Sequence, residues 1–414
     1  MAVPELRFNG FLEDWTVYNF SQLYSFKTTN SLSRDKLNYE RGDVKNIHYG
    51  DIHKIFKTQF NISQEKVPYI NEDVDLSKIK KENYCLEGDL VIADASEDYS
   101  DIGKSIEIIN LDNQKVLAGL HTFLARPSSD ETYIGFTSYI LKSWRLRKQI
   151  MTIAQGTKVL SISTGRLNKI KLTIPSLPEQ QKIASFLTAV DKRIGLLQRK
   201  ATLLEDYKKG VMQKLFAQQL RFKDDNGQYF PDWEEKKLGE YLMQKNSRNK
   251  NLEEKLVLSV SNKKGFISQS EQFDGYEVAS KDLSNYKIVY KNQIAYNPSR
   301  INVGSIAVLK DFEKGIVSPM YIIFALKNLN TTYFENLLNT HKVNHLIKVG
   351  CSGSVRDSLN FKDLSDFKLK FPSFKEQQKI ASFLESLDKK TATVNQQIEG
   401  MQTFKKGLLQ QMFV

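Results

Sequence analysis

IPSLPEQQKIASFL, from Ile174 to Leu187, returns as FPSFKEQQKIASFL from Phe371 to Leu384, with eleven of fourteen positions identical at an offset of 197. The register then holds without a gap: Asp191-Lys192 returns as Asp388-Lys389, Tyr207-Lys208-Lys209-Gly210 as Phe404-Lys405-Lys406-Gly407, and Gln213 and Phe216 as Gln410 and Phe413. Upstream, Gly156-Thr157 and Ser161 map onto Gly353-Ser354 and Ser358. A second echo marks where each half opens. Leu6-Arg7-Phe8 followed by Asp14-Trp15 is matched by Leu220-Arg221-Phe222 followed by Asp232-Trp233, with four extra residues in the second copy. Residues 16–150 and 234–350 show little alignment outside these markers. Internal repetition of this kind determines architecture. The chain is two units of one plan, each a variable region followed by a repeated segment.

From Glu179 to Phe216 there is no proline, and apolar or small residues fall at Ile183, Leu187, Val190, Ile194, Leu197, Ala201, Leu204, Val211 and Leu215. The steps of four and three form a heptad seam. The second copy, Glu376 to Phe413, places Ile380, Leu384, Leu387, Thr391, Val394, Ile398, Met401, Leu408 and Met412 on its seam. Lys208 and Lys405 interrupt the seams at equivalent places. Pro175 and Pro178, or Pro372, stand where a helix begins and a missing N–H is tolerated. At ~1.5 Å per residue each helix spans about 57 Å, more than a compact domain needs, so a coiled coil is expected over a pair of ordinary core helices.

The 159 residues from Ala217 to Lys375 allow either direction of packing. A two-fold axis perpendicular to the rod favours the antiparallel one, with Lys208 expected to meet Glu376 and Lys405 to meet Glu179. The expected architecture is α+β: two globular domains, 1–173 and 217–370, separated by two long antiparallel coiled-coil helices, 174–216 and 371–414, as a pseudo-two-fold internal repeat.

The 414 residues carry 60 Lys and Arg against 48 Asp and Glu, a formal charge of +12. An isoelectric point near 9.2 makes a polyanion the default partner. The charge is uneven. Residues 1–150 hold 19 basic and 22 acidic side chains, whereas residues 151–216 hold 12 and 4. The longest apolar runs, such as Tyr321 to Leu326, fall far short of the ~20 residues of a membrane span. Two cysteines, Cys85 and Cys351, form no disulfide framework, and the first ten residues lack a signal-peptide pattern. The expectation is a reduced, cytoplasmic protein with no membrane contact.

Along its whole length the chain resembles the specificity subunit of type I restriction-modification systems. The resemblance is carried by the Leu-Arg-Phe to Trp openings, the Gly-Thr or Gly-Ser turn, the Glu-Gln-Gln-Lys-Ile helix starts after Pro175 and Pro372, and the Lys-Lys-Gly near both helix ends. Each is weak alone, and their duplicated order is specific. The resemblance implies a non-catalytic protein in which each target-recognition domain reads one half of an asymmetric, bipartite double-stranded DNA site. It implies that the helices dock two modification subunits and help recruit two restriction subunits. S-adenosylmethionine, ATP and Mg then belong on those partners, with no cofactor and no metal in this chain.

Motifs for chemistry are near-misses. Asn297-Pro298-Ser299-Arg300 lacks the second proline and the aromatic of an amino-methyltransferase motif. Gly103-Lys104-Ser105 resembles the end of a phosphate-binding loop, but Asp98 stands where its first glycine belongs. Pro231-Asp232 and Glu234-Glu235-Lys236 have nuclease letters at an unworkable spacing. His341 and His345, four apart, lack a Glu or Cys partner and read as surface or DNA-facing. No catalytic residue is expected.

Direct readout favours Arg, Lys, Asn, Gln, Ser and Thr on loops and helix ends. The candidates in the first domain are Lys45, Asn46, His48, Tyr49, Ser96, Arg145 and Arg147. Those in the second are Asn262, Lys263, Lys264, Ser299, Arg300, Ser354 and Arg356. The competing reading of each is a solvated turn. Two other classes compete with the whole: a free-standing methyltransferase or endonuclease, which acts without partners, and a coiled-coil scaffold, which shows no salt-dependent DNA binding.

Overall fold

The computed structural model describes residues 3–262, 264–269, 282–351 and 358–414. Two compact units divide the chain, one of residues 1–198 with 396–414 and the other of residues 199–395. The two long helices run over Leu177–Phe216 and Phe374–Gln411. Each unit therefore takes the start of one long helix and the end of the other.

In the first unit, Asp191 near the start of the first helix accepts an ion pair from Lys405 near the end of the second, at 2.5 Å. In the second unit, Lys208 near the end of the first helix pairs with Asp388 near the start of the second, also at 2.5 Å. Pairing in each unit is antiparallel. The partners differ from those expected: Glu179 and Glu376 are not the acceptors of Lys405 and Lys208, because both carboxylates are buried and committed elsewhere.

Their partners explain the Leu-Arg-Phe openings. Arg7 Nε and Nη2 donate to the two oxygens of Glu179 at 2.8 and 2.7 Å, and Arg221 does the same to Glu376 at 3.2 and 3.0 Å. The neighbouring glutamines do equivalent work. Gln180 Oε1 accepts from Tyr133 N and its amide donates to the carbonyls of Glu131 and Pro175. Gln377 Oε1 accepts from Asn330 N and its amide donates to Pro372 O. Glu-Gln-Gln is thus a socket: the carboxylate holds the opening of the unit and the amide holds a loop 47 residues upstream.

The seam residues Ile183, Leu187, Val190, Ile194, Leu197, Ile380, Leu384, Leu387 and Val394 are buried, and Leu204, Ile398 and Met401 are half-buried. The seam serves two purposes. Ile183 to Ile194 enter one core together with Leu408, Met412 and Phe413 and with Trp15, Phe136 and Ile150 of the globular part. Ile380, Leu384 and Leu387 enter the other with Val211, Met212 and Leu215. A narrow coiled-coil stripe would bury less, so these helix ends are core elements first.

The repetition runs deeper than the sequence markers. In each unit a strand after the tryptophan pairs antiparallel with the strand leading into the long helix, Thr16–Asn19 with Lys171–Ile174 and Glu234–Lys237 with Lys368–Phe371. A second antiparallel pair follows, Tyr24–Lys27 with Thr122–Pro127 and Leu242–Lys245 with Ile322–Leu326. Helix Trp144–Ile153 has its counterpart in His341–Cys351, 197 residues on. Their buried residues correspond, Leu146 and Ile150 with Val343 and Ile347, and so do their caps. Ser143 Oγ accepts from Leu146 N, and Thr340 Oγ1 from Val343 N. Gly156, at φ +121°, ends the first of these segments, and a Cβ there would lie 2.1 Å from Val159 O. Only glycine fits that turn.

Between the frame strands lie two unlike inserts. Residues 28–121 add Leu90–Ala93, Ser105–Asn110 and Gln59–Asn61 to the frame pair as a five-stranded sheet, and build a separate four-stranded sheet around Val44–Ile47. Residues 246–321 extend the second frame pair by Ile294–Tyr296 and Ile306–Val308, and add two two-stranded pairs, Leu258–Ser261 with Gly265–Ser268 and Lys287–Tyr290 with Lys314–Val317.

Aromatic packing seals each unit with a ring from the end of the other repeat's long helix. Phe413 lies 6.4 Å from Trp15 and 5.7 Å from Phe136, and Phe216 lies 6.5 Å from Trp233 and 5.2 Å from Tyr333. Removing such a ring leaves a cavity costing about 3–5 kcal/mol. Phe413→Ala is expected to speed amide exchange in Thr16–Asn19 and Lys171–Ile174 while Glu234–Lys237 keeps its protection. Exchange read by mass spectrometry checks this, and uniform protection in both units would contradict it.

Candidate nucleic-acid interface

The first insert is fixed to its frame through buried polar contacts. Glu107, on strand Ser105–Asn110, accepts from Gly135 N at 2.7 Å and Ser138 N at 2.8 Å, at the start of the short helix Thr137–Ile140. Burial pushes its carboxyl up to about 7, against the two backbone bonds that favour the charge. Gln59 Nε2 donates to Gly135 O and Lys142 Nζ to Thr58 Oγ1, and burial lowers the Lys142 ammonium to about 8. The five-stranded sheet, against which helix Tyr49–Lys54 packs, is thus held to a rigid support.

Four expected contacts in the first unit are corrected. Asn46 is fully buried in strand Val44–Ile47, and its Oδ1 accepts from Asn30 Nδ2 at 2.7 Å, so it braces a loop. His48 is buried, and its Nδ1 accepts from Gly50 N to cap helix Tyr49–Lys54. Burial lowers its pKa, which favours a neutral ring. Ser96 is buried and its Oγ accepts from Asp98 N, shaping a turn. Arg147 commits Nη2 to the carbonyls of Ser100 and Ile102, at 3.0 and 2.6 Å, and so fastens the 100–102 loop.

What remains accessible is a smaller set. Lys45 is half-buried with its ammonium 5.0 Å above the Tyr69 ring. Tyr49 is half-buried among three imidazoles, 4.7 Å from His48, 5.3 Å from exposed His121 and 6.0 Å from His53. Arg145 is exposed on helix Trp144–Ile153 beside Trp144, which is 60% exposed.

In the second unit, two segments distant in sequence come together. Asn262 and Lys264 are exposed in the turn between Leu258–Ser261 and Gly265–Ser268. Ser299 and Arg300 are exposed in the loop after Ile294–Tyr296, whose Gly304, at φ +94°, packs against Asn262. Ser305 Oγ donates to Val260 O and locks loop and turn together. A cavity of about 390 Å³ opens between them, lined in part by Asn262, Gly304, Asn339 and Asn344. Lys263, Ser354 and Arg356 lie outside the described residues.

The motifs set aside are in structural use. Lys104 Nζ donates to His53 O, and Asn297 Oδ1 accepts from Ser299 N. His341 and His345 are exposed on helix His341–Cys351, with Gln213 Nε2 2.8 Å from His341 Nε2. Among the described residues no three His, Cys, Asp or Glu side chains converge as a metal site, and no helix is long and apolar enough to cross a membrane. Residue-by-residue reading missed Arg166 and Lys169, which share a groove of about 300 Å³ with Arg145 and Lys148. The signal was a gap in acidity: from Thr132 to Pro178 there is no Asp or Glu.

The duplicated frame is matched by a duplicated family domain. The profile described as type I restriction modification DNA specificity domain matches residues 13–206 and again 231–401. The chain belongs to the type I restriction-modification DNA specificity family. Within this family, a putative type I restriction enzyme MjaX specificity subunit of Methanocaldococcus jannaschii is 22% identical over 421 residues, 96% of this chain and 92% of that one. The type I restriction enzyme MjaVIII specificity subunit of the same organism is 33% identical over 118 residues, 27% of each chain.

Solved structures share the fold. The type I restriction-modification S subunit from M. genitalium aligns with TM-score 0.55 and 16% identity over 100% of this chain and 99% of its own. A chain from a structure on complex assembly and conformational transition of the type I R-M system aligns with TM-score 0.56 and 12% identity over 96% and 97%. At such identities the likeness is one of fold.

The Glu107 link gives this specificity subunit a pH signature. Its carboxyl titrates higher in the folded chain than in the unfolded one, so its favourable contribution is complete below about pH 4.5 and lost as pH rises through about 7. Between those values the first unit is expected to lose roughly 3 kcal/mol from this group. Denaturant titrations across that window check the trend, and Glu107→Gln should flatten it; a stability that rises over the same window and is unaltered by the substitution would contradict the assignment.

Proposed function

We propose that this chain is the sequence-reading subunit of a type I restriction-modification assembly, with each unit reading one half of an asymmetric bipartite DNA site. The observation that carries the reading is the contrast between frame and insert. Strands, capped helices and helix sockets repeat between the units, while the described residues of 28–121 and 246–321 differ in their strand pairing. Two readers of unrelated half-sites need this combination. In the first domain, 1–173, Lys45 and Tyr49 present the accessible polar face of the insert. In the second, 217–370, Asn262, Lys264, Ser299 and Arg300 converge at one loop cluster.

The repeated helices, 174–216 and 371–414, are the docking surface for two modification subunits, which in turn bring two restriction subunits. Exposed Leu203 and Tyr207 on the first helix and Phe404 on the second are apolar groups of the kind a partner covers. Catalysis, with S-adenosylmethionine, ATP and Mg, resides on those partners in the cytoplasm.

Replacing residues 28–121 by the corresponding segment of a relative is expected to change one half of the methylated sequence and leave the other intact. Methylation mapping of a genome carrying the chimaera reads this directly, and altered bases in both halves would refute the two-reader arrangement. The purified chain alone is expected to transfer no methyl group and cut no DNA; either activity without partners would return the enzyme reading.

A further inference from the structure

The first unit has an electrostatic problem. Its insert, 28–121, carries 17 acidic and 12 basic side chains, whereas the second insert, 246–321, carries 8 and 11. At ~0.15 M salt, charges more than about 8 Å apart are largely screened from each other, so distant cations do not correct a local excess of acid. The frame of the same unit has the opposite character. Residues 132–178 contain eight Lys or Arg and no Asp or Glu.

The structure gathers part of this charge into one place. Arg145 and Lys148, one turn apart on helix Trp144–Ile153, face Arg166 of helix Thr164–Leu167 and Lys169 just after it across a groove of about 300 Å³. Its remaining lining, Gln149, Thr152, Ile153 and Ile170, carries no carboxylate. The walls are held in place. Gln149 exchanges two hydrogen bonds with the backbone of Lys171, at 3.0 and 2.9 Å, and Arg166 Nη1 donates to Ile153 O at 3.0 Å. Arg145, Lys148 and Lys169 are exposed, and four cations facing one another without an intervening anion repel unless an anion joins them. At the corresponding positions of the second unit, Asp363 and Asp366 replace Arg166 and Lys169, and Asp366 pairs with Lys237 at 2.7 Å. The groove belongs to the unit whose insert is acidic.

We propose that the groove between helix Trp144–Ile153 and residues 164–169 clasps the phosphate backbone of double-stranded DNA, gripping the half-site read by the first unit without reading its bases. This rests on the reading of the chain as a DNA specificity subunit. Its position on the frame, outside the insert, assigns it to affinity and not to sequence.

The test uses the assembled complex with the triple variant Arg145→Gln, Lys148→Gln, Lys169→Gln. Affinity for a duplex carrying the recognised site is expected to fall about ten-fold or more at ~0.1 M salt. The slope of log affinity against log salt should shrink by about two to three, at ~0.9 for each phosphate no longer neutralised. The methylated sequence should be unchanged. A control triple, Lys78→Gln, Lys80→Gln, Lys81→Gln, removes equal charge from positions outside the groove and should alter the slope by much less. The charge-preserving pair Arg145→Lys, Lys148→Arg should bind as the parent does, which separates loss of charge from loss of fold. An unchanged slope in the groove variant, an equal change in the control, or a new methylated sequence would each overturn the clasp. A parent complex that binds all duplexes alike would instead overturn the specificity reading itself.

Discussion

The buried ion pair at the start of each long helix is the constraint on which the rest depends. Glu179 and Glu376 are each 1% exposed, and each is neutralised by an arginine from the opening of its own unit. A carboxylate so deep is tolerated only with a hydrogen-bonded opposite charge, and breaking such a pair by removing one partner costs about 3–5 kcal/mol. The pair therefore specifies more than it stabilises. It forces the first residues of a unit back onto the start of a helix some 170 residues later, or 155 later in the second unit. Strand pairing between Thr16–Asn19 and Lys171–Ile174 follows from that closure. Everything between the two strands becomes a loop on a closed frame, free to vary in content.

That logic separates what carries the fold from what carries recognition. The frame turns its repeated polar groups inward, into sockets, caps and the Gly156 turn. The inserts turn many of theirs inward as well, which is why Asn46, His48 and Ser96 shape their loops instead of presenting themselves to a ligand. The charge of insert and frame also runs in opposite senses in the two units. The first unit carries a basic groove on its frame beside an acidic insert, and the second carries a basic insert on a frame with Asp363 and Asp366 at the equivalent positions.

Much of the architecture was legible because it is written twice. The heptad steps located both long helices to within two or three residues of their observed starts, and the duplicated openings announced two units. The partners of Lys208 and Lys405 were not legible, since a seam gives spacing and not register; the observed acceptors, Asp388 and Asp191, are themselves related by the 197-residue repeat. The deeper repetition of strands and of helices Trp144–Ile153 and His341–Cys351 was hidden because only their buried positions and caps agree, as Leu146 with Val343 and Ser143 with Thr340. Contact residues were the least legible. Burial depends on which face of a strand the sheet covers, so Lys45 and Asn46, adjacent in sequence, have opposite fates.

One backbone hydrogen bond changes how the chain order is understood. Leu220 N donates to Lys214 O, joining the end of the first long helix to the opening of the second unit, and Leu6 N donates to Gln411 O in the same way at 3.0 Å. The former joint is also spanned by residues 215–219, while the latter brings together positions 405 residues apart in sequence. Each unit therefore closes the same order of frame segments, one drawing them from both ends of the sequence and the other from its middle. Joining Val414 to Met1 and opening the chain between 217 and 219 would permute the two units without removing a residue from either core.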